Sequence, residues 1–131
     1  MKLGKLQGAW IQSLKKNPER QMSSQLGNGA PKCYTACCLG ELHIVHHKLS
    51  KKKLPFDNGA LRDGKHGTIL GNSWRKYALR DSSGAFKTPV MLEDKDEKCV
   101  SLANMNDRGV TWTQIAEYVE NNLDNVFTES I

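Results

Sequence analysis

Cys33, Cys37, Cys38, His43, His46 and His47 fall within fifteen residues of one another, and thiolate with imidazole is the ligand set that zinc prefers. On a helix, ligands sharing a face stand three, four or seven residues apart. Two pairs, Cys33/Cys37 and His43/His47, have the four-residue spacing. They point one and a half to two turns apart, so a tetrahedral site built from one helix is awkward. A zinc site of Cys33, Cys37, His43 and His47 therefore ranks below a plainer alternative, in which small thiols fill a core and the histidines line the wet side of the same helix. The cluster also offers thiol chemistry. A cysteine near a helix N-terminus and a base, with His66 available from a later loop, is the arrangement that activates a nucleophile. No family-specific signature surrounds these cysteines, and the chain has no glycine-rich phosphate loop and no His-Glu-x-x-His pattern. Packing outranks catalysis, and no catalytic residue is assigned.

A second constellation is electrostatic. The 131 residues carry 19 Lys+Arg against 14 Asp+Glu, a net charge of +5. Residues 1–66 hold 12 basic and 4 acidic side chains, whereas 67–131 hold 7 and 10. Clustered cations concentrate anions and speed association. Lys48, Lys51, Lys52, Lys53 and Arg62, with Arg75 and Lys76 beside Trp74 and Tyr77, form the candidate surface for nucleic acid or another macromolecule. The plainer alternative is a solvated helix end whose lysines offset the helix dipole. The segment from Leu102 to Ala116 has the rhythm of a helix-turn-helix, in which the second helix would read the major groove. Its outward positions Thr113, Gln114, Glu117, Tyr118 and Asn121 include a glutamate and no Arg or Lys, a poor approach to phosphate.

Several elements must position these groups. Hydrophobic residues make up 38% of the chain and charged residues 25%, as in an ordinary globular domain. A domain of this length buries roughly two-thirds of its unfolded surface and needs no disulfide or metal to fold. No apolar run approaches the roughly 20 residues of a membrane span, and residues 1–14 do not read as a signal peptide. Leu3, Leu6, Trp10 and Leu14 make one helical stripe, predicting a helix over 2–16 that stops at Asn17-Pro18. An extended piece over 20–26 leads to a Gly27-Asn28-Gly29 turn. The apolar run from Tyr34 predicts a core helix over 35–48. Residues 48–71 read as an irregular basic excursion, either a functional loop or one hiding short strands. Further along, a short helix is predicted over 72–79 with an Asn72 or Ser73 cap, and a strand over 85–92 placed at an edge by Pro89. Glu93 to Glu97 is an acidic loop, and another short helix covers 100–105. Gly109 suits a left-handed turn, Thr111 and Gln114 form a capping box, Val110 and Ile115 a hydrophobic staple, and a helix follows over 111–122.

These residues resemble a group of small tailed-phage proteins of unknown function. Three landmarks carry the resemblance. The first is the Trp10–Leu14 helix followed by Gln21–Leu26, and the second is the Cys33-Tyr34-Thr35-Ala36-Cys37-Cys38-Leu39-Gly40 helix start. The third is Leu102-Ala103-Asn104-Met105-Asn106-Asp107-Arg108-Gly109 followed by Trp112 and Ile115-Ala116. Together they span about half the chain in the same order. Thr35-Ala36 between Tyr34 and Cys37 and the basic loop Lys48–Lys53 depart from the pattern. The resemblance implies a phage origin, the cytoplasm of the infected host cell, and free thiols in that reducing compartment. It carries no activity and no catalytic residue.

The expected fold is α+β: a single domain over 1–131 with three main helices and a small antiparallel sheet from about 20–26, 67–71 and 85–92. Its core is Leu6, Trp10, Leu14, Cys37, Leu39, Leu42, Val45, Trp74, Leu102, Ile115 and Val119. The first functional expectation is a non-enzymatic phage accessory protein that binds a host or phage macromolecule, a protein first, without cofactor or membrane, in host takeover or counter-defence. Nucleic-acid binding through the basic half comes second, and a Cys/His zinc protein or thiol enzyme third.

Overall fold

The computed structural model describes residues 1–92 and 97–131. It is an α+β fold with helices α1 (Lys5–Lys16), α2 (Cys38–Leu49), α3 (Leu102–Asp107), α4 (Trp112–Asn121) and α5 (Leu123–Val126). The strands are β1 (Gly27–Ala30), β2 (Cys33–Ala36), β3 (Phe56–Asp57), β4 (Ala60–Leu61), β5 (Ala85–Leu92) and β6 (Glu97–Ser101). The first four form a sheet of order β2-β1-β4-β3, and β5 and β6 form a separate two-stranded ribbon.

α1 buries Leu6, Trp10 and Leu14 of the expected stripe, together with Gln7 and Ile11, whereas Leu3 precedes the helix and is exposed. It begins later than residue 2 because its first amides are taken elsewhere: Leu6 and Gln7 both donate to the Ile131 carbonyl, and Gly4 N–H donates to Gln7 Oε1. Asn17 closes it ahead of a single 3-10 turn, Pro18–Arg20. The strand expected over 20–26 is not formed. Only Gln21 makes a bridge, to Ala36, and the Gly27-Asn28-Gly29 turn is itself strand β1, paired with β2 from Gly27↔Ala36 to Ala30↔Cys33. Pro31-Lys32 makes the reversal instead. The glycines here serve close approach: at Gly29, where φ is +120, a Cβ would overlap the Cys33 carbonyl, and at Gly27 it would sit 2.8 Å from the Thr35 oxygen.

Residues 33–36 alternate between exposed and buried, a two-residue period that makes them strand and delays α2 to Cys38. α2 buries Cys38 through Val45 without a gap, Glu41 and His43 included, as its largely apolar wheel implies. A Cβ at Gly40 would overlap the Leu26 carbonyl, so glycine lets this helix lie directly on the chain entering β1. The basic excursion does hide strands, since β3 and β4 are joined by Asn58-Gly59 with φ of +51 and +80, a two-residue hairpin turn. No strand forms over 67–71 and no helix over 72–79. Ser73, the proposed cap, spends its N–H and hydroxyl on Asp63, and Ala78 at φ +56 cannot continue a helix.

β5 occupies 85–92 as expected, with Pro89 inside the register irregularity between Ala85 and Val90. The acidic loop expected over 93–97 lies outside the described residues except for Glu97, the first residue of β6. The helix expected over 100–105 starts at Leu102, because Val100 and Ser101 still pair in β6 and Ser101 Oγ then caps α3 through the Asn104 N–H. Gly109 takes φ +86, and the Thr111/Gln114 capping box opens α4. α5 had no counterpart in the sequence reading.

The core contains all the expected residues except Trp74, which is only half-buried. It also takes in Tyr77, Trp112 and Phe127, the last packed edge-on to Trp10 at 5.9 Å between ring centroids. Among the polar groups it encloses, Asn106 makes the most connections. Asn106 Oδ1 accepts from the Cys38 N–H at 3.0 Å, from Trp112 Nε1 at 3.3 Å and from Gln21 Nε2 at 3.2 Å, while its amide donates to the Met22 carbonyl at 2.7 Å. Replacing Asn106 with isosteric Leu leaves buried donors unpaired, each at about 1–3 kcal/mol. The expected loss is about 3 kcal/mol or more in urea unfolding of Asn106→Leu, read from the midpoint at unchanged slope; a loss under about 1 kcal/mol would refute the central role.

Candidate functional site

Cys37 stands at the N-cap of α2, where its Sγ accepts the Gly40 N–H at 3.3 Å, the place a serine commonly fills. It is buried, and burial pushes its thiol pKa up to about 11 despite the amide beside it. Cys38 is more enclosed, directed at the Leu102 carbonyl 3.7 Å away, and burial raises its pKa well above the ordinary thiol value. Cys99 is buried in β6 opposite Val90. Cys33 alone is exposed, on β2 beside the hairpin turn. A nucleophile needs a thiolate and access to substrate; Cys37 and Cys38 have neither. His66 is exposed on the loop bridged to Asp63, with its ring lying over Gly71.

His43 is a core residue. Its Nε2 donates to the Arg62 carbonyl at 3.0 Å, which leaves Nδ1 to accept the Tyr77 hydroxyl at 2.6 Å. Burial, reinforced by His47 and Lys76, holds its pKa down to about 4, so the ring is neutral at pH 7. His47 donates to the His43 carbonyl at 2.9 Å. The four proposed zinc ligands are thus spread over a strand, a helix cap and later turns of α2, and three of them, Cys37, His43 and His47, are committed to backbone partners. Among the described residues, no group of three or more His, Cys, Asp or Glu side chains is disposed to hold a metal ion.

Two buried acids had no place in the sequence reading. Glu41 is fully buried and accepts the Tyr34 hydroxyl at 2.8 and 3.2 Å; burial raises its pKa even with Lys48 and Arg20 nearby. A glutamate inside an otherwise apolar helical run was the available signal. Asp63 is buried too, but the Ser73 hydroxyl at 2.7 Å and amide at 2.9 Å hold its pKa below the usual value against that burial. It fastens the loop over His43.

The basic candidates divide into two groups. Residues 46 and 48 differ by about 200° around a helix, so His46 and Lys48 face opposite ways. Lys48 turns toward α1 and lies 5.9 Å above the Tyr34 ring, whose other close cation is Arg20 at 4.7 Å. His46 packs on Tyr77 at 5.2 Å, and Lys76 and Lys52 lie close enough to lower its pKa further after burial. Lys51, Lys52 and Lys53 are exposed just beyond the helix, with Lys51 at φ +55. Arg75 stacks over the half-buried Trp74 at 4.8 Å. Arg62 is half-buried and gives its carbonyl to His43. In the helix-turn-helix-like pair, Gln114 caps α4, Asn121 bonds the Glu117 carbonyl and the Tyr118 hydroxyl accepts from Asn125. These outward residues serve the ends and flank of their own helix.

Two outcomes are expected. Under native conditions near pH 7, a thiol reagent labels Cys33 rapidly and Cys37, Cys38 and Cys99 only on the timescale of unfolding, and Cys33→Ser abolishes the fast phase; a second fast thiol in mass spectrometry would contradict the burial. The unfolded chain binds a proton at His43 near the ordinary pKa of 6.5 and the folded chain only near 4. The stability contributed by neutral His43 is therefore full above pH 6.5 and lost as pH falls toward 4. Glu41, with its raised pKa, slopes the opposite way above 4.5, so the readout is a difference. Wild type should lose up to about 3 kcal/mol relative to His43→Gln between pH 7 and pH 4, and parallel stability curves for the two would count against it. Comparison with known proteins finds no matching family model, no similar curated protein and no similar solved structure.

Proposed function

We propose that this chain is a non-enzymatic phage accessory protein that binds an acidic macromolecule of host or phage, acting in the cytoplasm of the infected cell. The observation that carries the reading is the convergence of Lys52 and Lys76 on His46 beside the Arg75–Trp74 stack. One cation from a helix end and one from a separate loop both act on His46, and the loop also carries the Arg75–Trp74 stack. The burial of three of the four thiols supports binding over thiol catalysis, and the resemblance to small tailed-phage proteins supports the biological setting.

An acidic protein surface is the preferred partner, because the cations are dispersed over several short side-chain groups and no helix presents a basic row to a groove. Nucleic acid is the second reading, and the Arg75–Trp74 pair favours it, since a half-exposed indole flanked by guanidinium can stack a base. No helix among the described residues is long and apolar enough to cross a membrane.

The test is affinity capture from infected host cells with tagged wild type and with the charge-reversed Lys52→Glu/Lys76→Glu chain, each with and without nuclease. A protein recovered reproducibly by wild type, insensitive to nuclease and lost from the variant is the expected result. Recovery that disappears with nuclease moves the reading to nucleic acid. No reproducible partner, or one that the variant retains fully, overturns it.

A further inference from the structure

The last turns of α1 and α2 lie side by side, and between them is a depression of about 530 Å³ lined by Gln12, Ser13, Lys15, Lys16, Asn17 and Lys48. Its size is that of a small-ligand site. Three lysines from two helices line it, and Arg20 lies against the same Tyr34 ring that Lys48 covers. Like charges gathered in this way repel, and the repulsion is relieved by an anion lying among them.

The carboxylates near this groove offset its charge only in part. Glu120 is engaged by Lys15 in an exposed ion pair at 3.0 Å. Glu41, fully buried and accepting from Tyr34, has Lys48 and Arg20 as its nearby cations, and Lys16 is matched by neither carboxylate. A second depression, of about 420 Å³, has both Lys87 of β5 and Asp124 of α5 in its lining and no comparable excess of charge.

We infer that the α1/α2 groove is a binding site for a chain of phosphates, carried by a nucleoside triphosphate or as free polyphosphate. The cations are strung along two helix ends and do not surround one point, so they suit several linked phosphates better than a single one. Lys16 and Lys48 contact the phosphates from opposite walls, and Lys15 can exchange Glu120 for the ligand at little cost, an exposed pair being worth about 1 kcal/mol or less. Gln12 supplies an amide group on the same surface for the part of the ligand beyond the phosphates. The site faces away from Lys52 and Lys76 and does not depend on the macromolecular partner proposed above.

Titration calorimetry at about 0.15 M salt, where non-specific attraction between exposed charges is largely screened, tests the site with two probes, ATP and inorganic tripolyphosphate. The expected result is saturable binding, weakened about tenfold or more in Lys16→Ala/Lys48→Ala and left within about twofold in Lys52→Ala/Lys76→Ala. All four side chains are exposed, and unchanged unfolding temperatures verify that both variants fold. Equal affinity for the two probes shows that phosphate alone is read, whereas tighter ATP binding shows that the groove also reads the nucleoside; either supports the site. Absence of saturation at millimolar probe, or equal losses in both double variants, overturns it.

Discussion

The side chain of Asn106 is the constraint on which the rest of the fold depends. It is fully buried, and it binds segments of the chain that are distant in sequence: the extended piece after α1 through Gln21 and Met22, the start of α2 through the Cys38 amide, and α4 through the Trp112 indole. A carboxamide can do this because it is both donor and acceptor on a short, rigid stem; Asp would lack the donor for Met22, and Leu would lack everything but the shape. Gln21 extends the network by accepting the Trp112 amide and donating to the Val110 carbonyl, so it serves the first turn of α4 from outside. Asp107 completes the clamp by accepting the Ser24 amide, where the backbone runs at φ +71. The three sequence landmarks that looked like separate signatures are therefore parts of one hydrogen-bonded junction. Glutamine, the Cys-Cys helix start and the Asn-Asp-x-Gly-Val-Thr-Trp segment meet there.

That junction decides what the cysteines can be. Cys38 must present its amide to Asn106 and its carbonyl to the Trp10 indole at 2.8 Å, which seats the first turn of α2 in the interior. Gly40 then brings the helix against the Leu26 carbonyl. With its backbone fixed in this way, Cys37 falls at the cap and Cys38 beneath it, both out of water, and burial opposes the thiolate more strongly than the helix N-terminus favours it. A position that would activate an exposed cysteine thus holds an inert one.

Legibility in the sequence followed the range of the interactions. α4 could be read almost to the residue because Thr111, Gln114, Val110 and Ile115 act within one turn, and β5 because Pro89 restricts its own strand. The hairpin β1–β2 could not, since Gly27-Asn28-Gly29 carries turn residues that serve instead to let strands approach, a need visible only once Cys33 and Leu61 are in place. The turn at 74–79 replaced a helix for a similar reason: Asp63 captures Ser73 from ten residues away, and the Thr128 amide and hydroxyl bind the Ala78 carbonyl from fifty. Asn106 falls just past the short helix expected over 100–105, and nothing local marks it as a buried junction. Among the candidate site residues, the thiol and imidazole spacings along the sequence carry the separation between a strand, a helix cap and later helical turns, whereas the basic residues were grouped as one patch because charge counts along the chain carry no azimuth.

Azimuth is what turns that single patch into two surfaces. Lysines collect at the ends of α1 and α2 for a local reason, since the final carbonyls of a helix favour cations. Which way each lysine then faces follows from the packing of the helix that carries it. α2 buries residues 38–45 on all sides, so only its last turn is free to display charge. One side of that turn is closed by the loop that Asp63 and Ser73 fasten over His43, which delivers Lys76 to His46. The other side is open toward α1, which delivers Lys16 to Lys48. The Tyr77 bond to His43 and the Tyr34 bond to Glu41 are the buried polar ties beneath these two faces. The first holds the ring on which His46 packs and the second the ring that Lys48 and Arg20 cover, so the separation of the two surfaces is set by the core and not by the lysines themselves.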